Sequence, residues 1–486
     1  MNRHHVTRCL LLALLSLLPA GSSPAPPAPA EEDWFLVRLG GTAVGTASER
    51  WSTGDDESVF QAQMNVRFTR MGTPLAMSLF TEEVCGPGGD FRRSRMESSV
   101  SNLSAHAVLD GDSLRYESSA GGAVRRSAAA WDRDAVSEMV ARQCIRSWLA
   151  GAAAETTLTL FDISDGGFRR QRLVRGEISR LRVAGEERAL VAVDEFDEGA
   201  TTASSTSWFE ASGRRRPMRT VVRQLGVEIE IVRVTATELG SIQMEPSFDI
   251  IRQSMVPCPG FPPPGRAEEV TLELAFPGQL PDSPLGGPNQ VEVERKPGIV
   301  RLRLTREAAE RETLPDDDLA EFLRGDRFIQ TDAADLRAVA DSLRSATRAH
   351  GWPLARAVAE WVDGHIEKKG MEHGYASALD VYRSRAGDCT EHSLLTVAVL
   401  RAAGIPARPV VGLAYGEAEH SFVGHMWVEA YVDHWRTLDA LNLGLDPIRI
   451  RVYAPATGEG LGERDLMRAY GAVAGVEIRV VGHRDR

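Results

Sequence analysis

From residue 31 to 256, apolar and polar side chains alternate in short runs, which is the pattern of β-strands. The runs are about six to twelve residues long, are rich in β-branched and aromatic side chains, and are separated by Gly, Asp or Ser turns. Residues 59–67 and 227–234 are examples. One helical segment, 135–150, interrupts them. A meander of this length predicts a curved antiparallel sheet or a partial barrel.

From about residue 331 onwards, apolar residues recur at the spacing of a helix instead of that of a strand. Residues 331–348 have an apolar stripe on one face, and Pro353 and Cys389 stand where two further helices should begin. Strands are expected at 407–413 and 424–432. Helices followed by a sheet predict an α+β fold for this part of the chain.

These changes in pattern divide the 486 residues into five segments. The Pro-rich stretch near residue 260 is typical of an extended connection between domains. A last strand at 476–481 is expected to close the sheet of the final segment. The segments are 1–30, a signal peptide with a Pro/Ala-rich tether; 31–256, a β-rich domain; 257–267, a linker; 268–330, a small β subdomain; and 331–486, the α+β domain.

The amino-terminus resembles a targeting sequence. Arg3 and Arg8 precede a short apolar run at 10–18, and small residues follow at 20–22. The run is too short to span a bilayer, and no other stretch approaches 18 uninterrupted apolar residues. We therefore expect an exported protein, periplasmic or secreted, without a stable membrane span.

The charge balance argues against a nucleic-acid partner. The formal net charge is −12 and the isoelectric point is about 5.5, so nothing in the overall charge would neutralise a phosphate backbone. The hydrophobic fraction of 43% and the charged fraction of 26% are ordinary for a globular protein. Composition therefore favours a folded protein but does not indicate its substrate.

The apolar helix that begins at Cys389 places a thiol at a chemically distinctive position. The turn before it contains Gly387 and Asp388, and Glu391 is expected to complement the helix dipole. Unpaired N–H groups and the positive end of the dipole favour a thiolate at this position. The plain alternative is an inert buried thiol, which is the more common role of a lone cysteine.

A histidine and an aspartate further along the chain support a catalytic role. In the strand 424–432, His425 and Trp427 lie on one face, and a turn leads to a second strand at 435–439. A hairpin of these two strands would bring Asp439 beside His425. A sulfur nucleophile, an imidazole and an orienting carboxylate are the three parts of a nucleophilic acyl-transfer site.

Four stretches are distinctive: GDCTEH at 387–392, LRAAGIPAR at 400–408, GHMWVE at 424–429 and WRTLD at 435–439. Together they resemble the core of the transglutaminase-like superfamily and, more narrowly, that of its bacterial exported members. The resemblance implies a papain-like core in which Cys389 is the nucleophile, His425 the general base and acid, and Asp439 the orienting carboxylate. Two positions depart from the family pattern: Met426 replaces a small residue, and Ala440 stands where proline often follows the aspartate.

The resemblance implies the catalytic machinery more firmly than the reaction. The superfamily includes transglutaminases, peptidases, amidases and inactive members. We expect hydrolysis of a peptide or amide bond through a thioester, because nothing marks a dedicated amine site. The alternatives are a protein-glutamine transamidase, a non-enzymatic binding module that uses the same fold as a scaffold, and a redox-sensing cysteine, which would not require Asp439.

Cofactors and metals are not expected. Cys389 and His392 form one pair of possible zinc ligands, but a closed zinc site commonly has a second close pair. His392 and His420 are expected to support the site or to lie on the surface. The expected partner of the α+β domain is a peptide or protein substrate, whereas the β-rich domain could bind an unknown partner or a lipid.

The remaining cysteines leave the disulfide pattern open. Export would permit disulfides. If Cys389 stays free, then Cys85, Cys144 and Cys258 can form at most one bridge within the chain. If all four cysteines were paired, Cys389 would have no free thiol and could not act as a nucleophile.

Overall fold

The protein is described from a computed structural model. The structure describes residues 31–99, 103–120, 123–164, 166–183, 185–198, 200, 203–224, 227–245, 247–277, 280–281, 284–306, 314–326, 328–370, 376–441, 448–456, 469–473 and 475–486. The predicted signal peptide and tether lie outside these ranges. So do most of residues 463–470, whose sequence pattern predicts a further helix. The chain forms two compact units that divide between Ile250 and Ile251.

The amino-terminal unit is built on one sheet of 15 strands in which most strands pair with their neighbours in the chain. The order across the sheet is β8-β7-β6-β5-β4-β3-β2-β1-β15-β14-β13-β12-β11-β10-β9. The strands are β1 Glu31–Leu39, β2 Thr42–Thr53, β3 Ser58–Arg70, β4 Thr73–Cys85, β5 Phe91–Ser98, β6 Leu103–Asp110, β7 Ser113–Ala120, β8 Ala123–Ala130, β9 Ala135–Val136, β10 Glu155–Asp162, β11 Gly167–Val183, β12 Glu186–Asp197, β13 Ser205–Glu210, β14 Pro217–Gln224 and β15 Val227–Val234. Its helices are α1 Glu138–Ala150 and α2 Ala236–Ser241, and a short helix α3, Ile250–Gln253, crosses the division between the units.

The sheet is strongly curved, as its length predicts. Leu114 of β7 and Ile229 of β15 belong to one buried cluster, although six strands lie between β7 and β15 in the sheet order. The Tyr116 hydroxyl of β7 donates a hydrogen bond to the backbone oxygen of Ser164, which follows β10, at 3.0 Å. Strands that are distant in the order can meet in this way only if the sheet curls.

Helix α1 packs inside this curve. Its residue Met139 contacts the cluster of Phe60 on β3, whereas Ile145 contacts that of Phe209 on β13. The helix begins later than the predicted residue 135, because Ser137 caps it and residues 135–136 pair with β10 as β9. The buried Glu83 carboxylate accepts the first two N–H groups of α1, at 3.1 and 3.0 Å.

The carboxy-terminal unit combines a group of helices with two sheets. One sheet has the order β16-β21-β20-β23, with β22 paired to β21, and the other has the order β18-β19-β17-β24. The helices are α4 Asp316–Glu321, α5 Ala334–Thr347, α6 Gly351–His365, α7 Ala378–Ser384 and α8 Cys389–Ala402. The strands are β16 Val256–Pro257, β17 Ala267–Ala275, β18 Gln290–Lys296, β19 Ile299–Thr305, β20 Ala407–Gly416, β21 Ser421–Tyr431, β22 Trp435–Leu438, β23 Arg449–Tyr453 and β24 Glu477–Asp485.

Two cores hold this unit together and make it α+β, as predicted. The first joins helices α5 to α8 to β20, β21 and β22, with Val428 and Leu438 among the buried strand residues. The second joins the two sheets: Leu272 and Leu302 of one pack with Leu413 and Ile450 of the other. The sheet that contains His425 is therefore packed against helices and against a second sheet.

Two expectations about this unit are wrong. The last strand, β24, does not close the sheet of β20 and β21 but pairs with β17, more than 200 residues earlier in the chain. The Pro-rich stretch 257–267 is not a free connection, because Cys258 and Phe261 are buried in the core between the sheets and Phe261 stacks on Tyr415 at 4.3 Å. Apolar residues in these segments are buried by partners that local pattern does not identify.

Within the described ranges, the structure contains no helix with the length and apolar character needed to cross a membrane.

Candidate active site

Cys389 is the first residue of helix α8, where the sequence predicts it. The Asp388 side chain accepts a hydrogen bond from the Thr390 N–H at 2.8 Å, and the Glu391 carboxylate accepts one from the Asp388 N–H at 3.0 Å. This reciprocal capping box fixes where the helix begins. Cys389 is a free thiol and is only half-buried. It therefore combines the helix N-terminus with partial exposure, two features that reactive cysteines share.

Glu391 has a different role from the one expected. Its side chain is fully buried, and it also accepts a hydrogen bond from the Ala376 N–H at 2.8 Å. Burial and the adjacent Asp388 charge raise the pKa of Glu391 to about 8. Burial thus favours the protonated form of Glu391, and the contact of its side chain with the Ala376 N–H ties the turn to residue 376.

The turn before Cys389 requires glycine because of a close approach. A Cβ atom on Gly387 would lie 2.2 Å from Cβ of Glu391, a distance at which one of the two residues must move. The Gly387 N–H also donates to the Lys368 backbone oxygen at 3.1 Å. The position of the thiol therefore depends on a tightly packed turn.

The structure brings His425 and Asp439 together. On one side of β21, residues 421–422 pair with β16 and residues 428–431 pair with β22, and His425 lies between these two regions. Asp439 directly follows β22, and its Oδ2 is 2.8 Å from His425 Nε2. The Cys389 side chain lies close enough to His425 to contribute to the raised pKa of the imidazole. Since Nε2 is bound to Asp439, Nδ1 is the ring nitrogen left for the thiol.

His425 and Asp439 each stabilise the charged form of the other. Burial by itself lowers the pKa of the His425 imidazole, but the charge of Asp439, the hydrogen bond to it and the nearby Cys389 side chain have the larger effect and raise that pKa to about 10. Burial likewise raises the pKa of Asp439. The charges of His425 and Arg449 and their hydrogen bonds to Asp439 have the larger effect and hold this pKa well below its usual range. An imidazolium beside the thiol is the electrostatic setting that favours a thiolate.

Arg449 is a site residue that the sequence analysis missed. It lies on β23, and its Nε and Nη2 donate to the same Asp439 oxygen at 3.0 and 2.7 Å. The Leu441 N–H donates to the other carboxylate oxygen at 3.1 Å. The sequence shows two arginines in this short strand, Arg449 and Arg451, but only the fold shows that Asp439 is the partner of Arg449.

Two residues beside His425 shape its surroundings. The Trp427 ring lies nearly parallel to the imidazole, with centroids 6.0 Å apart, and is 2% exposed. Met426, the departure from the family pattern, is buried in a small cluster that includes Val411 and the half-buried Cys389. The larger side chain at position 426 therefore lies next to the thiol.

Two other histidines do not join this group. His392 is 1% exposed, and its Nδ1 is 2.7 Å from the Asp388 backbone oxygen. Burial lowers the pKa of His392. His420 is exposed in the turn between β20 and β21, where its Nδ1 is 3.5 Å from the Tyr415 hydroxyl.

Comparison with known proteins places part of the chain in a family. Residues 337–440 match the family model described as the transglutaminase-like superfamily, and this range contains Cys389, His425 and Asp439. No curated protein matches the chain.

Solved structures give likenesses of low identity. A candidate cysteine protease from Cytophaga hutchinsonii is 21% identical and has a TM-score of 0.27, with 45% of this chain and 87% of that chain covered. The periplasmic domain of TgpA from Pseudomonas aeruginosa is 19% identical and has a TM-score of 0.25, with 36% and 88% covered. A β-barrel-like protein of a domain of unknown function from Brucella abortus is 10% identical and has a TM-score of 0.34, with 43% and 98% covered.

TM-scores below 0.5 do not establish a shared overall fold, so the assignment rests on the family match. A β-rich amino-terminal region thus precedes a transglutaminase-like domain, in which residues 337–440 match the model of the transglutaminase-like superfamily.

Proposed function

We propose that the protein is an exported cysteine-dependent acyl-transfer enzyme that hydrolyses a peptide or amide bond. Cys389 is the nucleophile, His425 the general base and acid, and Asp439 the carboxylate that orients the imidazole. The observation that carries the proposal is the hydrogen bond between His425 and Asp439 beside the Cys389 thiol, which lies at the start of helix α8. The match of residues 337–440 to a family of cysteine enzymes supports it at the level of the family.

The geometry suits the formation of a thioester. The Cys389 thiolate attacks the carbonyl carbon of the substrate, and the negative charge moves to the carbonyl oxygen, for which the Cys389 backbone N–H is a candidate donor. The His425 imidazolium then gives its proton to the leaving amine nitrogen as the carbon–nitrogen bond breaks. The first product is an amine, and the acyl group remains on sulfur.

Water then resolves the thioester. The neutral His425 takes a proton from water as the oxygen attacks the acyl carbon, and the carbon–sulfur bond breaks to release a carboxylic acid and the thiolate. Asp439 keeps Nε2 of His425 in place through both steps, so that Nδ1 faces the sulfur and the attacking water. Hydrolysis needs no bound second substrate other than water.

Export remains a proposal that rests on the sequence of residues 1–30. The predicted signal peptide would be removed, so a mature protein beginning near residue 23–31 is expected in the exported fraction. Amino-terminal sequencing of that fraction tests this expectation.

The acyl-enzyme itself provides the test of function. Wild-type protein mixed with a library of peptide p-nitrophenyl esters and amides should gain the mass of an acyl group at Cys389, which peptide mapping by mass spectrometry locates. Cys389→Ala should lose both the adduct and turnover, by at least about 10³-fold, because the nucleophile is absent. Adding a primary amine should leave the carboxylic acid as the main product if hydrolysis is the reaction.

Cys258→Ala is the matched control, because Cys258 is a free thiol buried in the core between the two sheets. It should leave the acyl adduct at Cys389 unchanged. Turnover that survives Cys389→Ala, or an amide with the added amine as the main product, would contradict the proposed hydrolase.

A further inference from the structure

Helix α1 of the amino-terminal unit carries two arginines on its buried side. Arg142 and Arg146 are one helical turn apart and are only 2% and 9% exposed. Arginine is seldom buried to this extent unless it is paired. Each of these two guanidinium groups is therefore expected to have a buried partner.

The nearby carboxylates are engaged with other arginines. Arg142 Nη2 lies 3.5 Å from Glu49 Oε1 on β2. Arg233 of β15 holds Asp33 of β1 through both terminal nitrogens, one of them at 2.9 Å. Asp33 and Glu49 are cross-strand neighbours, so both pairs belong to one group.

Arg146 is the third cation of this group. Its Nε, Nη1 and Nη2 are all buried and make no hydrogen bond with any residue that the structure describes. A guanidinium has five N–H donors in a planar fork. An entire buried fork without an acceptor is uncommon, and an ion or ordered water is the usual reason for one.

The group carries excess positive charge at neutral pH. Burial, together with the charges of Arg142 and Arg233, lowers the pKa of Arg146 to about 9, which still leaves it protonated at pH 7. Burial raises the pKa of Glu49 to about 8, so this carboxyl offsets little of the charge. Three guanidinium groups thus face two carboxyl groups, those of Asp33 and Glu49, so at least one positive charge is left over. An uncompensated buried charge is strongly destabilising.

We propose that Arg146, supported by Arg142 and Arg233, binds an oxyanion inside the curved sheet of the amino-terminal unit. A carboxylate or phosphate group matches the planar donor fork of arginine and supplies the missing negative charge. Aromatic rings line the group: the Arg142 guanidinium lies 4.3 Å from the Phe60 ring centroid and that of Arg233 lies 5.2 Å from Phe35. The oxyanion is either a free anion or the head group of a molecule whose apolar part lies against these rings.

Isothermal titration calorimetry of the full-length protein at pH 7, in a buffer free of other oxyanions, tests the proposal. The two probes are inorganic phosphate and dodecyl phosphate below its micelle concentration. Saturable uptake of one equivalent is expected for at least one probe. Arg146→Met should weaken that binding at least about 10-fold, and Arg146→Lys should weaken it less, because lysine keeps the charge but not the fork.

Arg133→Met is the matched control, since Arg133 is exposed a few residues before α1 and its loss makes the same change in net charge. It should bind as the wild type does. Equal binding of both probes identifies a free anion, whereas a clear preference for dodecyl phosphate identifies a head group, and both results support the site.

Two results would overturn the proposal: no saturable binding of either probe to the wild-type protein, or unchanged binding by Arg146→Met. If Arg146→Met does not fold, as judged by circular dichroism, the wild-type titration and the melting temperature decide. A melting temperature that rises with the concentration of the bound probe supports the site, and a melting temperature that does not change contradicts it.

Discussion

At the scale of single residues, one carboxylate oxygen connects three side chains of the site. Oδ2 of Asp439 accepts from His425 Nε2 and from two nitrogens of Arg449. The sequence was sufficient to propose Cys389, His425 and Asp439, because their spacing and neighbours resemble a known family. It could not identify Arg449, because no local pattern shows that the side chain of Arg449 on β23 reaches Asp439, which follows β22.

Arg449 should tune the proton affinity of the whole site. Removing a positive charge makes every nearby group bind its proton more tightly. We therefore expect Arg449→Met to move both limbs of the pH profile of Cys389 alkylation to higher pH, by roughly 0.5 to 1 unit. Arg449→Lys, which keeps the charge, should move them less.

Arg436→Met is the matched control for this experiment. Arg436 lies on β22 and pairs with the exposed Asp433 at 2.9 Å, and such exposed pairs have little influence on other groups. Its replacement should leave the profile in place. A profile that keeps its position in Arg449→Met and loses only amplitude would show that Arg449 is merely structural.

At the scale of elements, the site depends on where helix α8 begins. The sequence predicted this start correctly, because Asp388 and Glu391 are typical capping residues and Gly387 is typical of a turn. It did not predict that Glu391 is fully buried and tied to the Ala376 N–H. That contact depends on a second chain segment, which the spacing of residues around Cys389 cannot show.

Gly387→Ala should destabilise this turn. The added methyl group would lie 2.2 Å from Cβ of Glu391, and overpacking of this kind typically costs about 1–3 kcal/mol of unfolding free energy. We expect a loss of that size in chemical denaturation, together with slower alkylation of Cys389, because the turn positions the thiol.

Gly364→Ala is the control for this change, since a Cβ atom at Gly364 of α6 meets nothing within 4 Å. Its effect should stay within about 1 kcal/mol and should favour stability, because alanine is the better helix former. Equal effects of the two substitutions would refute the steric account of Gly387.

At the scale of the whole molecule, local sequence patterns predict the strands but not which distant segments pair with one another. The strand rhythm of residues 31–256 was enough to predict a curved sheet, but not its 15 strands or the buried arginines inside it. The sequence pattern correctly predicted that β24 is a strand. It wrongly placed this strand in the sheet of β20 and β21, whereas β24 pairs with β17. Ile478 of β24 is buried in the core between the two sheets, which also contains Phe422 of the strand that carries His425.

Ile478→Ala should therefore weaken the carboxy-terminal unit. Ile478 is 6% exposed, and such truncations usually cost about 2–5 kcal/mol. Pulsed thiol labelling in denaturant, read by mass spectrometry, can locate the loss: Cys258 should become reactive at a lower denaturant concentration, because it belongs to the same core. Cys85, which is buried in the amino-terminal unit, should keep its midpoint.

Val481→Ala on the same strand is the control, since Val481 is 43% exposed and its truncation should change the Cys258 midpoint little. A similar shift for both variants, or a shift at Cys85 instead of Cys258, would argue against the pairing of β24 with β17.

The most direct test of the account is the rate of iodoacetamide alkylation at Cys389 as a function of pH, compared between the wild type and His425→Ala under non-reducing conditions. The raised pKa of His425, about 10, means that the imidazolium is present at neutral pH and is lost only as pH rises through that value. The account predicts fast alkylation well below the ordinary thiol pKa of about 8.5, and a marked slowing there in His425→Ala. Wild-type alkylation no faster than that of an ordinary thiol, or a Cys389 held in a disulfide, would contradict it.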